Sequence, residues 1–311
     1  MISQNYILSI QRIEVMSKSF LKKYKRPNNE GVRSIFRFSS FNLDSVHYHE
    51  ALFLEKNLYH NQPSYFNDPF ECRPVLKIPE SSAEMNGLRE DLVSWMLYQG
   101  VDMGTAVQKA NSFKLTAPII EDIKKTLLDE FQNFRICCFT KRKENLLFWS
   151  HYADSHKGYC VEYSTSGLLL SQVYRVRYTD KFPSLAFPMF GDIRKLYYKT
   201  QEIASHKKDE KLSLDLDMKI IEPILNKSRE WKYEEEYRSI YKPGAPLQLA
   251  NNESSLLLAG DEITNVYFGC NMSKDNREKL ISIIKEGPFN PKLWQAEISQ
   301  NKFTLIFKPV E

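Results

Sequence analysis

The residues best suited to chemistry stand together in the last third of the chain, as Trp231-Lys232-Tyr233-Glu234-Glu235-Glu236-Tyr237-Arg238. On an extended strand successive side chains point to opposite faces. Glu234, Glu236 and Arg238 would then share one face, and Trp231, Tyr233, Glu235 and Tyr237 the other. Two carboxylates and a guanidinium are thereby lined up at about 7 Å per pair of residues, where neighbouring like charge pushes one carboxylate's pKa up and Arg238 opposes that. A solvated charged edge with its aromatics packed inward gives the same pattern, so both readings stay open.

A second cluster is Trp149-Ser150-His151-Tyr152-Ala153-Asp154-Ser155-His156-Lys157-Gly158. On a helix Trp149, Tyr152, Ala153 and His156 share a face and His151 projects elsewhere. The two histidines are not at the i, i+4 spacing that grips a metal, so no metal is expected. His151 is suited to supplying a proton or hydrogen bond, and equally to a structural role. Arg37 lies between Phe36 and Phe38 in an alternating strand. A guanidinium cannot shed its charge, so it needs an anionic or carbonyl partner: Glu234, Glu236 or the phosphate of a ligand. Phe66-Asn67-Asp68-Pro69-Phe70-Glu71 reads as a tight, aromatic-flanked turn. Neither GxGxxG nor GxxxxGK occurs, and the chain holds 11 glycines in all, which counts against P-loop and Rossmann chemistry.

The elements that must position these groups follow from periodicity. Ser9 to Arg26 reads as a basic amphipathic helix, and residues 1–32 as an N-terminal arm. A single α+β domain is expected over 33–311, with a helical insertion at about 82–133 broken between Gly100 and Gly104. Strands are expected at Ile35 to Ser39, Phe134 to Thr140, Gly158 to Ser164, Val173 to Tyr178, Glu234 to Tyr241, Ile263 to Gly269, Leu293 to Ile298 and Phe303 to Lys308. Helices are expected at Glu144 to His156, over 195–229, and at Lys274 to Lys285. Strands and helices alternate only in part, so the expected fold is α+β with a mixed, mainly antiparallel sheet.

The 311 residues carry 43 Lys+Arg against 39 Asp+Glu, a net charge of +4, and 42% are apolar. That balance is too even to imply a nucleic-acid protein by itself. No apolar run is long enough to span a membrane and the first residues lack signal-peptide order, so a cytoplasmic protein is expected. Five cysteines without a CxxC pair point to reduced thiols. The 19 Phe, 17 Tyr and 4 Trp supply both core and ring-stacking surface.

Phe66 to Glu71, Cys138-Phe139-Thr140, Trp149 to Asp154, His156-Lys157-Gly158 and Trp231 to Arg238, in that order, resemble the bacterial DUF2971 family. Weaker elements extend the resemblance over roughly 33–308. The order of an early-strand arginine, an aromatic middle motif and a late Glu-x-Glu also looks like the layout of ADP-ribosyltransferases, including antiphage effectors. That resemblance implies an NAD-cleaving or ADP-ribosylating effector of phage defence or a toxin system. Glu236 would be the catalytic carboxylate, Glu234 would orient the acceptor, and His151 would assist them. Arg37 would hold the NAD phosphates, Phe66, Trp149 or Tyr152 would wall the nicotinamide pocket, and Asn67 and Arg238 would complete the cofactor site. NAD is then the co-substrate, with a nucleic-acid or protein acceptor, and the basic arm could meet a partner protein. Two alternatives stand beside it. One is a metal-dependent nuclease using Glu234, Glu236 and Asp68; the other is a non-enzymatic sensor or partner-binding module in which the charges form one buried network.

Overall fold

A computed structural model describes residues 23–167, 169–187, 221–243 and 253–310. In chain order the described strands are β1 (Ser34–Ser39), β2 (Asn57–Tyr59), β3 (Val75–Lys77), β4 (Arg135–Thr140), β5 (Tyr159–Ser164), β6 (Tyr174–Arg175) and β7 (Arg177–Thr179). They continue with β8 (Ser184–Ala186), β9 (Asn226–Ser228), β10 (Glu236–Tyr241), β11 (Ser255–Leu257), β12 (Ile263–Phe268), β13 (Lys292–Ile298) and β14 (Leu305–Pro309). The described helices are α1 (Val46–Phe53), α2 (Ser82–Tyr98), α3 (Met103–Ser112), α4 (Ala117–Gln132), α5 (Leu146–His151) and α6 (Lys274–Glu286). The expected α+β class with a mainly antiparallel mixed sheet is what forms. The basic helix expected at Ser9 to Arg26 falls almost wholly outside the described residues, as does most of the helical stretch expected over 195–229. The described end of that stretch is a 3-10 turn, Glu222–Leu225, followed by β9.

Packing divides the chain into two units that interleave in sequence. One comprises Met1–Lys23, Asp68–Gln132 and Thr179–Ser228; the other comprises Tyr24–Asn67, Asn133–Tyr178 and Arg229–Glu311. In the first, α2 to α4 supply the expected helical layer. Helix α2 opens with a capping box in which Ser81 and Glu84 satisfy each other's backbone donors. Strands β3 and β8 pair in parallel. A buried Lys227–Glu71 ion pair, 2.9 Å between charged atoms, ties the turn after Asp68 to β9.

The second unit is built on an eight-stranded sheet of order β14-β13-β12-β5-β1-β4-β10-β6. Every neighbouring pair is antiparallel except β12 with β13. Strand β1 is central, so both its faces are covered, and its sequence shows this by placing apolar residues on each. Ile35 joins a core with Val161, Tyr163, Phe139, Tyr237 and the apolar stripes Leu52-Phe53 of α1 and Leu280, Ile283 and Ile284 of α6. Phe36 and Phe38 join a second core with Phe148, Trp149, Cys160, Tyr267 and Leu305. Gly158 and Gly269 sit where strand ends pass too closely for any side chain. A Cβ on Gly158 would lie 2.1 Å from the Ser39 carbonyl oxygen, and one on Gly269 2.0 Å from that of His156. No described helix is long and apolar enough to cross a membrane, and all five cysteines are free thiols.

Three buried titratable groups set a pH response. Burial pushes His60 down to about 3. Its Nδ1 faces the Leu58 carbonyl at 2.8 Å and must carry the proton, leaving Nε2 to accept from Ser239 Oγ at 2.9 Å. Burial also takes His49 down to about 4. Glu262, whose carboxylate accepts the Ala259 N–H, is raised by burial to about 7. Between pH 4.5 and 6.5 the unfolded chain holds two imidazole protons that the folded chain refuses, while the folded chain alone keeps the Glu262 proton. The net is one more proton on the unfolded side, so these groups lower stability on acidification by about 1.4 kcal/mol per pH unit. From pH 6.5 to 7 only Glu262 acts, and stability falls as pH rises. Urea midpoints measured at half-unit steps should peak near pH 6.5; a flat profile from 4.5 to 6.5 would contradict this assignment.

Candidate functional site: an acid–arginine cluster at the start of β10

The Glu-Glu-Glu run does not lie on one strand. Residues Arg229–Glu234 form a 3-10 turn, Glu235 takes a left-handed backbone with φ of 46°, and β10 begins at Glu236. The expected ladder of Glu234, Glu236 and Arg238 is therefore corrected, because a positive φ interrupts strand alternation just where the ladder needs it. Each carboxylate has its own surroundings instead. Glu236 is held by Arg238 in a two-pronged pair, Nε to Oε1 at 2.5 Å and Nη2 to Oε2 at 3.0 Å, with Arg238 wholly buried. The guanidinium lies 5.6 Å from the centre of the Phe66 ring. Glu234, also buried, accepts the Tyr152 hydroxyl at 2.7 Å, and that hydroxyl accepts from Asn67 Nδ2 at 3.2 Å. Phe66 and Asn67 are chain neighbours, so one short segment touches both chains of contacts.

Four of the sequence-predicted residues thus gather around Glu234 and Glu236 in this unit: Arg238, Phe66, Asn67 and Tyr152. The others do not join them. Register places Phe36, Thr140 and Glu236 on one face of the sheet, so Arg37, their neighbour on β1, points to the opposite face. The expected meeting of Arg37 with Glu234 or Glu236 is corrected on that ground. Trp149 is wholly buried, edge-on to Phe38 at 5.0 Å, with Nε1 donating to the Lys143 carbonyl at 2.8 Å. Core packing occupies that ring, which leaves none of it to wall a ligand pocket. His151 is exposed at the end of α5, edge-on to the Tyr152 ring at 6.4 Å, and among the described residues it pairs with neither carboxylate.

The second motif is shorter as a helix than its periodicity suggests. After α5 the chain runs through Asp154, Ser155 and His156, all at positive φ, and His156 stacks on Trp149 at 6.2 Å. Three left-handed residues in a row cost about 1–2 kcal/mol each unless the surroundings hold them. Here the turn at Gly269–Asn271 does so. The Asn271 backbone N–H donates to the His156 carbonyl at 3.0 Å, and the Asn271 side chain to the Ser155 carbonyl at 3.2 Å. The motif's residue types answer to this turn. Asp68, in the other unit, accepts the Phe70 N–H at 2.9 Å, the turn expected of it.

The one carboxylate of the run that faces open space is Glu235. It lines a hollow of about 620 Å³ together with Arg142, Arg175, Lys232, Tyr178 and Tyr233, with Glu144 also on its wall. Glu235 is 2.7 Å from Lys141 Nζ and 3.7 Å from an Arg142 nitrogen, and Arg175 pairs with Glu30 at 2.5 Å. The wall is tied down from several sides. Asn145 caps α5 and donates to the Tyr233 carbonyl at 2.9 Å. The Lys143 ammonium sits 5.5–5.8 Å from the ring centres of Tyr267, Phe36 and Phe307, a three-ring cage that fixes the loop presenting Arg142. Sequence reasoning gave Glu235, Tyr178, Lys232 and Arg142 no role in a site, since nothing in a period-2 pattern signals the positive φ that turns Glu235 outward. Among the described residues no three His, Cys, Asp or Glu side chains are arranged to hold a metal ion, and both Glu236 oxygens already face Arg238.

Fold and site together define an α+β protein with a buried acid–arginine cluster and a cationic, tyrosine-lined hollow beside the start of β10 in a mainly antiparallel mixed sheet. Residues 148–239 match the family described as Protein of unknown function (DUF2971), which supports the family resemblance read from the motifs. No curated protein and no solved structure matches the chain.

Proposed function

We propose that the hollow at the start of β10 binds a nucleotide and that the chain cleaves NAD at its nicotinamide–ribose bond, passing ADP-ribose to an acceptor. The observation that carries this reading is the composition of the wall: three cations suited to phosphates, two tyrosines suited to rings, and Glu235 among them. Its volume lies within the usual range for small-molecule sites. In the proposed step the C–N bond breaks and its electron pair leaves with nicotinamide. The ribose is left with oxocarbenium character, and Glu235 stabilises that positive charge. An acceptor hydroxyl, amine or water then adds to the same carbon and loses its proton. Glu236 takes a supporting part in this reading, fixed by Arg238 so that the turn at Glu235 keeps its position. A role in phage defence or a toxin system is the same proposal's biological setting.

The test is release of nicotinamide from NAD by the purified full chain, with and without cell extract. The expected result is release that Glu235→Gln slows by about 10²–10³-fold while leaving the melting temperature near wild type. Absence of release under both conditions would end this reading. The buried Glu236–Arg238 pair favours a second one, a non-enzymatic sensor, in which nucleotides raise the melting temperature without being consumed.

A further inference from the structure

The loop over 141–145, between β4 and α5, supplies Arg142, Glu144 and Asn145 to the hollow's wall, and Leu146 and Leu147 follow it at the start of α5. Lysines ordinarily keep their charged heads in water. Lys143 does the reverse. It does not line the hollow but turns its ammonium onto the sheet, 5.7 Å from the centre of the Phe36 ring, 5.5 Å from that of Tyr267 and 5.8 Å from that of Phe307. The side chain is 28% exposed, and Glu144, the next residue, pairs with it at 3.2 Å.

The cage belongs to the sheet and not to the loop. Phe36 stands on β1, Tyr267 on β12 and Phe307 on β14. The rings also brace one another. Tyr267 meets Phe307 edge-on at 5.0 Å and stacks on Trp294 at 6.2 Å, and its hydroxyl donates to Glu162 at 2.5 Å. The loop is thus pinned at Lys143 to a rigid surface, and two residues later Asn145 reaches across to the Tyr233 carbonyl on the hollow's wall. Ring faces attract a cation and hold no comparable attraction for a neutral amide, whose hydrogen-bonding groups lose water there and gain no partner. Charge, more than side-chain length, therefore decides whether this side chain stays in the cage.

We propose that Lys143 is a positioning residue for the hollow: its single positive charge, held by the aromatic cage, keeps the β4–α5 loop in the wall, and loss of that charge opens the hollow. This rests on the nucleotide reading for its effect on binding, whereas the effect on the loop stands without any ligand. Because Lys143 lies outside the lining, it acts through its neighbours Arg142 and Glu144.

The test uses the full chain and reads two quantities: hydrogen exchange at the Leu147, Phe148 and Trp149 amides, all of which donate to Asn145, and adenosine diphosphate binding by calorimetry. Without nucleotide, Lys143→Gln should speed that exchange by about 10-fold, while exchange in α6 stays at the wild-type rate. Lys143→Arg keeps the charge and should exchange as wild type does. Phe307→Leu takes one ring from the cage on an edge strand and leaves the lysine in place. It should speed the same amides by about 3-fold, which provides a reading even if Lys143→Gln does not fold. Adenosine diphosphate should bind Lys143→Gln about 10-fold more weakly than wild type or Lys143→Arg. Unchanged exchange in Lys143→Gln and Phe307→Leu, or exchange in Lys143→Arg as fast as in Lys143→Gln, would overturn the proposal. So would faster exchange in Lys143→Gln with an unchanged nucleotide affinity. Faster exchange in Lys143→Gln with no nucleotide bound even by wild type would uphold the hold of Lys143 on the loop and count against the nucleotide reading instead.

Discussion

Glu236→Gln should lower the unfolding free energy by on the order of 3–5 kcal/mol, because it leaves the wholly buried Arg238 guanidinium facing a neutral amide. The two groups meet through two hydrogen bonds, and both side chains are buried. Arg238→Met alone should cost a similar amount, by taking both of those hydrogen bonds from the buried Glu236 carboxylate. Changing both together should restore much of the loss, since neither side chain then carries a charge to be desolvated. Urea midpoints of the two single variants and the double variant give the coupling directly. Additive losses would show that the pair is not the unit described above.

Gly269→Ala should be nearly as damaging. The new Cβ would sit 2.0 Å from the His156 carbonyl oxygen and 2.8 Å from that of Gly158. Both are backbone atoms of the turn that follows α5, so neither can rotate away. Relief requires moving the left-handed run Asp154–His156, which in turn holds His156 against Trp149. A loss above about 3 kcal/mol is expected, in the range of overpacking combined with backbone strain. Gly260→Ala is the control: its Cβ would meet nothing within 4 Å and its backbone is ordinary, so stability should hold or rise slightly. A Gly269→Ala protein melting within about 1 °C of wild type would contradict this account.

These two cases mark how far the sequence could be read. Strands with uninterrupted alternation or continuous apolar runs, such as Ser34–Ser39, Arg135–Thr140 and Tyr159–Ser164, are legible because side-chain period and burial agree. The clustering of Phe66, Asn67, Tyr152, Glu234, Glu236 and Arg238 was legible as a set of residue types, but its geometry was not. One left-handed residue, Glu235, converts an expected ladder into three separate environments, and period-2 reasoning carries no term for that conformation. Arg37 was legible as a charge in need of a partner. Which face it occupies depends on pairing register with strands far away in the chain, a non-local property that single-segment patterns do not hold. The left-handed turn at Asp154–His156 was misread as helix for a related reason. What stabilises it is Asn271, more than a hundred residues further along.

Strand order also bears on how this protein can be dissected. The family-matched stretch, 148–239, carries β5 and β10, yet in the sheet these two are separated by β1 and β4, both encoded upstream. On its far side β5 borders β12, encoded downstream. An excised fragment with those limits would expose unsatisfied ladder edges on both strands and would aggregate instead of folding. Recombinant work on the family-matched stretch therefore requires the flanking sequence at both ends, and a minimal fragment that folds must begin before Ser34 and end after Phe268.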